Sequence, residues 1–138
     1  MTAFSPPNRI KSFILLAICG ALAIVAAVIG IDDNPPGILM AFLAAIAFIL
    51  AFVHPWRTAR KFAFLLLASV LGLVLFIALN IVSDLAAQNP STSPALRNLI
   101  NNPANEALNV TFIMLLPAAF LVGAIGAIAM LIRQKSVK

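Results

Sequence analysis

The sequence predicts an all-α integral membrane protein, a bundle of four transmembrane helices. Hydrophobic residues make up 63% of the 138 residues and charged residues only 9%, whereas soluble domains carry about 25% charged residues. Long apolar runs lie at 13–31, 35–53, 62–82 and 110–132. Because about 20 helical residues cross a hydrocarbon core of about 30 Å, each run is long enough to span a membrane. We therefore treat residues 1–138 as a single transmembrane domain.

The first span follows a short segment that contains Arg9 and Lys11. It is longer than the apolar core of a secretory signal peptide, so we interpret it as a helix that is not cleaved. Small residues recur four positions apart in this span, as at Ala17 and Ala21. This spacing favours close helix packing in lipid. Cys19, the only cysteine of the chain, lies in the same span and is expected to pack as a small hydrophobic residue.

The second span has clear end signals. Asn34 followed by Pro35 fits an N-cap, in which the Asn oxygen accepts an unpaired amide hydrogen and the proline has no amide hydrogen to satisfy. At the other end, Pro55 disfavours helical geometry for His54. These signals predict a helix over residues 35–53.

A long polar connection separates the third span from the fourth. Within it, residues 94–100 are predicted to form a short helix at the membrane interface, and Asn102 with Pro103 repeats the cap-and-proline pattern. The fourth span carries small residues at a spacing that predicts a close helix crossing: Ala119, Gly123 and Ala127.

The charges predict the orientation of the chain. Eight of the nine Lys and Arg residues lie near the two termini or in residues 54–61, whereas the acids lie at the opposite ends of the spans: Asp32, Asp33, Asp84 and Glu106. The positive-inside rule then places both termini and the basic loop 54–61 in the cytoplasm. A short outer loop joins the first two spans, and a longer outer loop joins the last two. Without a eukaryotic sorting feature, the bacterial inner membrane is the expected location.

We call residues 54–61 the hinge. It contains the residues that we single out as candidate contacts for a headgroup or partner: His54, Trp56, Arg57, Arg60 and Lys61. Our interpretation is a membrane anchor, with Trp at the interface and the cations facing anionic lipid. The alternative is a site in which His54 and Arg57 hold a phosphorylated headgroup or an acidic residue of a partner.

Several classes of chemistry are not expected. No ionisable side chain lies in the middle of a span, which disfavours an ion-coupled transporter. A single histidine does not make a zinc or bis-histidine haem site, and the acids match no known metal-binding loop. We therefore predict no catalytic residue, no metal and no cofactor. The net charge of +5 flanks the spans rather than forming one basic face, so nucleic acid is not an expected partner.

These observations predict a non-enzymatic membrane protein that packs against copies of itself or other membrane protein subunits, as an accessory or scaffold. Two alternatives stay open. One is an oligomeric channel or carrier for a small or lipid-like solute. The other is a membrane enzyme acting on lipid or quinone, which would need clustered polar side chains at one interface.

Overall fold

The chain is all-α. A computed structural model describes residues 3, 5–31, 34–100 and 102–136, without the side chains of residues 103, 104, 106 and 107. In this part of the chain there are five helices: α1 (Pro6–Ile29), α2 (Pro35–Val53), α3 (Ala59–Gln88), α4 (Pro94–Ile100) and α5 (Pro103–Lys135). Helices α1, α2, α3 and α5 are long and apolar enough to cross a membrane. The prediction of an all-α chain with four membrane-spanning helices is confirmed at this level.

Most helices extend beyond the apolar runs that predicted them. Helices α1, α3 and α5 continue into the polar flanks, because nothing in those flanks stops a helix until a proline or a polar turn is reached. Helix α2 keeps the bounds 35–53, since prolines mark both of its ends. The short helix expected at residues 94–100 is present as α4.

The four long helices pack in a chain of pairs. Helix α1 packs on α2, α2 packs on α5, and α5 packs on α3, while α4 lies against α3. Helices α1 and α3 therefore each have one main neighbour. The buried core lies where α2, α3 and α5 meet, and its members are Ala45, Ile49, Val53, Phe62, Ala118 and Val122.

Most of the remaining apolar surface faces outward. Val28 is 82% exposed and Leu79 is 65% exposed, and both are typical of the many large apolar side chains outside the core. An apolar exterior of this extent is not stable in water, but it matches the hydrocarbon interior of a bilayer. The chain is a small multi-pass membrane protein.

The helix contacts define two ends of the bundle. At the basic end, the first turns of α1 meet the last turn of α2, and the hinge lies near the end of α5. At the opposite end, which we call the loop end, the end of α1 meets the start of α2, and the end of α3 faces the start of α5. Asp32, Asp33 and Lys138 lie outside the described residues.

The predicted role of Asn34 is wrong in one respect. Asn34 is the N-cap residue of α2, but its side chain makes no capping hydrogen bond. Its Nδ2 instead donates to the carbonyl oxygen of Ile29, at 2.9 Å. Ile29 is the last residue of α1, where carbonyl groups have no helical amide to accept from. The Asn34 side chain therefore closes the helix before it rather than the helix after it.

Candidate functional site

The hinge begins where Pro55 interrupts the hydrogen bonding of α2. In a continuous helix the Ala51 carbonyl would accept from the amide of residue 55, but proline has no amide hydrogen. The hydroxyl of Ser12, in α1, takes that place: its Oγ lies 3.0 Å from the Ala51 oxygen and 2.7 Å from the Ala3 oxygen. Its one hydrogen is shared between the two carbonyls. Because Ser12 is fully buried, this contact fastens α1 to α2 inside the protein.

His54 also contacts the Ala51 carbonyl, from the same turn. It is the C-cap of α2, and its Nδ1 lies 3.3 Å from the Ala51 oxygen, which is a hydrogen bond when Nδ1 carries the proton. Its Nε2 is buried and has no hydrogen-bond partner in the part of the chain that the structure describes. His54 therefore helps to close the end of α2.

Trp56 packs inward. Its ring meets that of Phe62 edge-on, with the centroids 5.4 Å apart and the planes at 66°, and it contacts the buried core cluster. Trp56 itself is half-buried. Aromatic pairs of this geometry contribute about 0.5–1.5 kcal/mol beyond their burial. The residue therefore holds the turn between α2 and α3 against the core.

Arg57 shares a cavity with a second arginine, Arg133. With Met130, Arg133 and Gln134 it lines a cavity of about 310 Å³ between the hinge and the end of α5. His54 does not line this cavity, so the structure does not bring the predicted pair His54 and Arg57 together there. Arg133 lines it with Arg57. Two guanidinium groups beside one cavity suit a phosphate or carboxylate group. Sequence analysis missed this pairing because it treated Arg133 only as a flanking charge.

Arg60 and Lys61 lie on the outer surface of α3, and both are exposed. The Arg60 guanidinium lies over the Phe64 ring, 5.6 Å from its centroid. Arg9 and Phe13, on α1, repeat this arrangement at the same distance. A cation over an aromatic ring at an exposed site is worth about 0.5–1 kcal/mol. The side chains of Arg9 and Arg60 thus lie along the apolar surface of their helices, as long cationic side chains do near a membrane interface.

The small residues of α5 lie at its inner surface. Gly123 is buried, and a Cβ there would lie 2.9 Å from the backbone nitrogen of Leu66 and 3.1 Å from its Cα. Ala119 and Ala127 pack against the core cluster. Sequence analysis did not single out Gly126, where an added Cβ would overlap the ring of Phe62. The backbones of α3 and α5 therefore approach closely along this stretch.

An apolar cavity lies between α1, α2 and α5. Its volume is about 360 Å³, and alanines from α1 and α2 form much of its wall, together with Cys19 and Met114. Thr111 contributes a polar side chain. This space follows from the small residues: where facing side chains are methyl groups, two helices leave room that neither fills.

Within the described residues, no three His, Cys, Asp or Glu side chains come together as a metal-binding group would require. No protein-family model matches the chain, and neither a curated protein nor a solved structure matches it. The function is therefore argued from the geometry of this chain.

Proposed function

We propose that this chain is a non-enzymatic accessory or scaffold protein of the bacterial inner membrane, with both termini and the hinge in the cytoplasm. It acts by packing against copies of itself or against other membrane protein subunits. The observation that supports this role is the outer face of α1.

The side chains of that face are small, and no helix of the described part of the chain packs on it. Ala17, Gly20 and Ala21 are exposed, and they lie on one side of α1 because they are three and four residues apart. A Cβ built at Gly20 meets nothing within 4 Å. In lipid, helices associate by van der Waals packing of such faces, because the hydrophobic effect does not drive helix contact there. The face is thus suited to another transmembrane helix.

Association is tested with the full chain in liposomes, by single-molecule counting of labelled protein at decreasing protein-to-lipid ratios. We expect Gly20→Leu to weaken self-association at least tenfold, because its bulk separates the two backbones. The control is Ala78→Leu, which adds bulk on an exposed face of α3 and should leave association unchanged. Equal effects of the two changes, or a wild-type chain that is monomeric at every ratio, would contradict self-association through α1.

The orientation is tested by labelling single cysteines in intact cells, in a Cys19→Ala background. Ser91→Cys, in the connection before α4, should react with an impermeant reagent from outside. Thr58→Cys, in the hinge, should react only after the cells are opened. The reverse pattern would overturn the assignment, which depends on the distribution of Lys and Arg.

A second candidate function is carriage of a lipid-like solute, which the apolar cavity beside Cys19 favours. Its volume of about 360 Å³ lies within the range of small-molecule sites. The test uses a photoactivatable fatty acid in liposomes. Competable labelling of α1, α2 and α5 that is lost on Ala44→Phe would support this function, and labelling confined to the outer faces would argue against it.

A further inference from the structure

A second large cavity lies at the loop end, between α3, α4 and α5. Its volume is about 510 Å³. Its wall contains both apolar and polar side chains, the polar ones being Asn80, Ser83, Asp84, Asn105 and Asn109. Of these five residues, only Asp84 was named in the sequence analysis, among the acids at the ends of the spans.

The connection that forms one wall of the cavity is held by its own hydrogen bonds. Arg97, on α4, donates from Nη2 to the Asn89 carbonyl at 3.2 Å. The Ser93 hydroxyl accepts from the amide of Leu96 at 3.3 Å, at the start of α4. Leu99, at the other end of α4, then lies in the cavity wall. The wall is thus an ordered helix rather than an irregular loop.

The hydrogen bonds of two asparagines determine which of their polar atoms are available to a ligand in the cavity. Asn80 donates its Nδ2 to the Phe76 carbonyl within α3, at 2.9 Å. Asn105 donates its Nδ2 to the carbonyls of Leu99 and Ile100, at the end of α4. Asn105 uses its NH₂ group on two backbone carbonyls and Asn80 uses one of its two N–H groups on one, so the Oδ1 atoms of both side chains are available to a ligand. Both are hydrogen-bond acceptors.

The charge of the cavity also favours a ligand that donates hydrogen bonds, and in particular a cation. Asp84 contributes a carboxylate, and no Lys, Arg or His is among the described residues that line the space. A carboxylate beside two amide oxygens attracts a cation that carries N–H donors. Calcium is a poorer match, because it takes six to eight oxygen ligands, usually with several carboxylates.

The apolar part of the wall indicates an organic cation. The rings of Phe76 and Phe112 lie 6.0 Å apart at 42°, and both line the cavity. Aromatic faces attract ammonium groups and also cover hydrocarbon. A volume of about 510 Å³ is typical of a small-molecule site and much larger than an ion needs.

We propose that the loop-end cavity binds the ammonium group of an amphiphilic amine, with the nitrogen at Asp84, Asn80 and Asn105 and the apolar portion against Phe76 and Phe112. The amine belongs either to a lipid headgroup or to a free alkylamine. This inference goes beyond the proposed scaffold function and does not depend on self-association.

The test uses the full chain in phosphatidylcholine nanodiscs, titrated with hexylamine and, as the uncharged control, hexanol. We expect saturable binding of hexylamine only. Asp84→Asn should weaken it about tenfold or more, since the negative charge is lost and only a neutral oxygen acceptor remains. Asp84→Glu keeps the charge and should bind within about threefold of wild type. Asn98→Ala, on α4 but outside the cavity wall, should bind as wild type does.

A lipid arm distinguishes the two sources of the amine. Nanodiscs that also contain phosphatidylethanolamine are analysed by native mass spectrometry. Preferential retention of phosphatidylethanolamine by the wild type, lost in Asp84→Asn, identifies a headgroup amine. Equal retention of both lipids, with hexylamine binding intact, identifies a free amine. No saturable binding of hexylamine and no lipid preference, or equal binding by Asp84→Asn in protein of unchanged helicity, would overturn the proposal.

Discussion

The two helix pairs, α1–α2 and α3–α5, are held together at different places. Helices α1 and α2 are fastened at both ends: Ser12 bonds to Ala51 at the basic end, and Gly30 meets Gly37 at the loop end. Gly30 adopts a φ of 88°, which L side chains rarely adopt. A Cβ at Gly37 would overlap the Gly30 carbonyl. Each end of this pair therefore depends on a specific residue.

Helices α3 and α5 are instead closest in the half nearer the basic end. Gly123 faces the backbone of Leu66 and Gly126 faces the ring of Phe62. Toward the loop end, a long connection with its own helix joins the two, and the polar cavity opens between them. Two apolar helices therefore leave a cavity between them where their connection is long and no glycine allows their backbones to approach. At the same end of α1–α2, the connection is short, and its Gly30 contacts Gly37 in the first turn of α2.

The largest effect that would test this comparison is expected for Gly37→Ala. The added methyl group overlaps the Gly30 carbonyl, which is backbone and cannot rotate away. We expect a loss of about 3 kcal/mol in the free energy of unfolding, measured by denaturant titration in mixed micelles.

The matched control is Gly20→Ala, the same change on α1 at a site with nothing within 4 Å. It should be neutral or slightly stabilising, because alanine is the better helix former. If both changes are equally tolerated, the loop end of α1–α2 is not held by close backbone contact.

A smaller loss, about 2 kcal/mol, is expected for Gly123→Ala. Its Cβ would lie 2.9 Å from the Leu66 nitrogen, so α3 and α5 must separate by a few tenths of an ångström. Gly123→Leu should be worse, and Ala129→Leu, on an exposed part of the same helix, should cost little. Thermal unfolding in micelles measures all three. A Gly123→Leu protein as stable as Ala129→Leu would show that α3 and α5 do not depend on this crossing.

The smallest of the three effects is expected for Ser12→Ala, at about 1 kcal/mol. The change removes the hydroxyl that bonds to the Ala51 carbonyl. The control is Ser69→Ala: Ser69 is also buried, but it donates to Leu66 of its own helix at 2.7 Å, a carbonyl that a helical amide also reaches. Equal losses would mean that the Ser12 contact between helices adds nothing beyond burial.

Sequence patterns were enough to predict the helices but not how they pair. Apolar length predicted the four spanning helices, and prolines predicted the bounds of α2, because both signals are local. The order of packing was not predictable, since small residues occur on both buried and exposed faces. Ala44 is 6% exposed and Ala51 fully buried, whereas Ala17 and Ala21 are exposed, and all four belong to similar alanine-rich runs.

The candidate sites show the same limit. The hinge was recognisable from its charges, yet the cavity that Arg57 shares with Arg133 depends on two segments far apart in sequence. The polar cavity was even harder to predict from the sequence. Asn80 and Asn105 look like ordinary helix-end residues until their amide groups are seen to be used on backbone carbonyls. Only the folded chain shows which oxygen atoms remain available.

The absence of an amide hydrogen at Pro55 has a consequence for how this protein diverges over time. The contact between Ser12 and Ala51 has most value while position 55 is proline. A lineage that replaces Pro55 regains a backbone donor for that carbonyl, and the Ser12 hydroxyl is then needed only for the Ala3 carbonyl. In lineages that keep Pro55, loss of the hydroxyl at position 12 leaves only the His54 ring for the Ala51 carbonyl and removes the bond between α1 and α2. Loss of the serine should therefore follow loss of the proline more often than precede it.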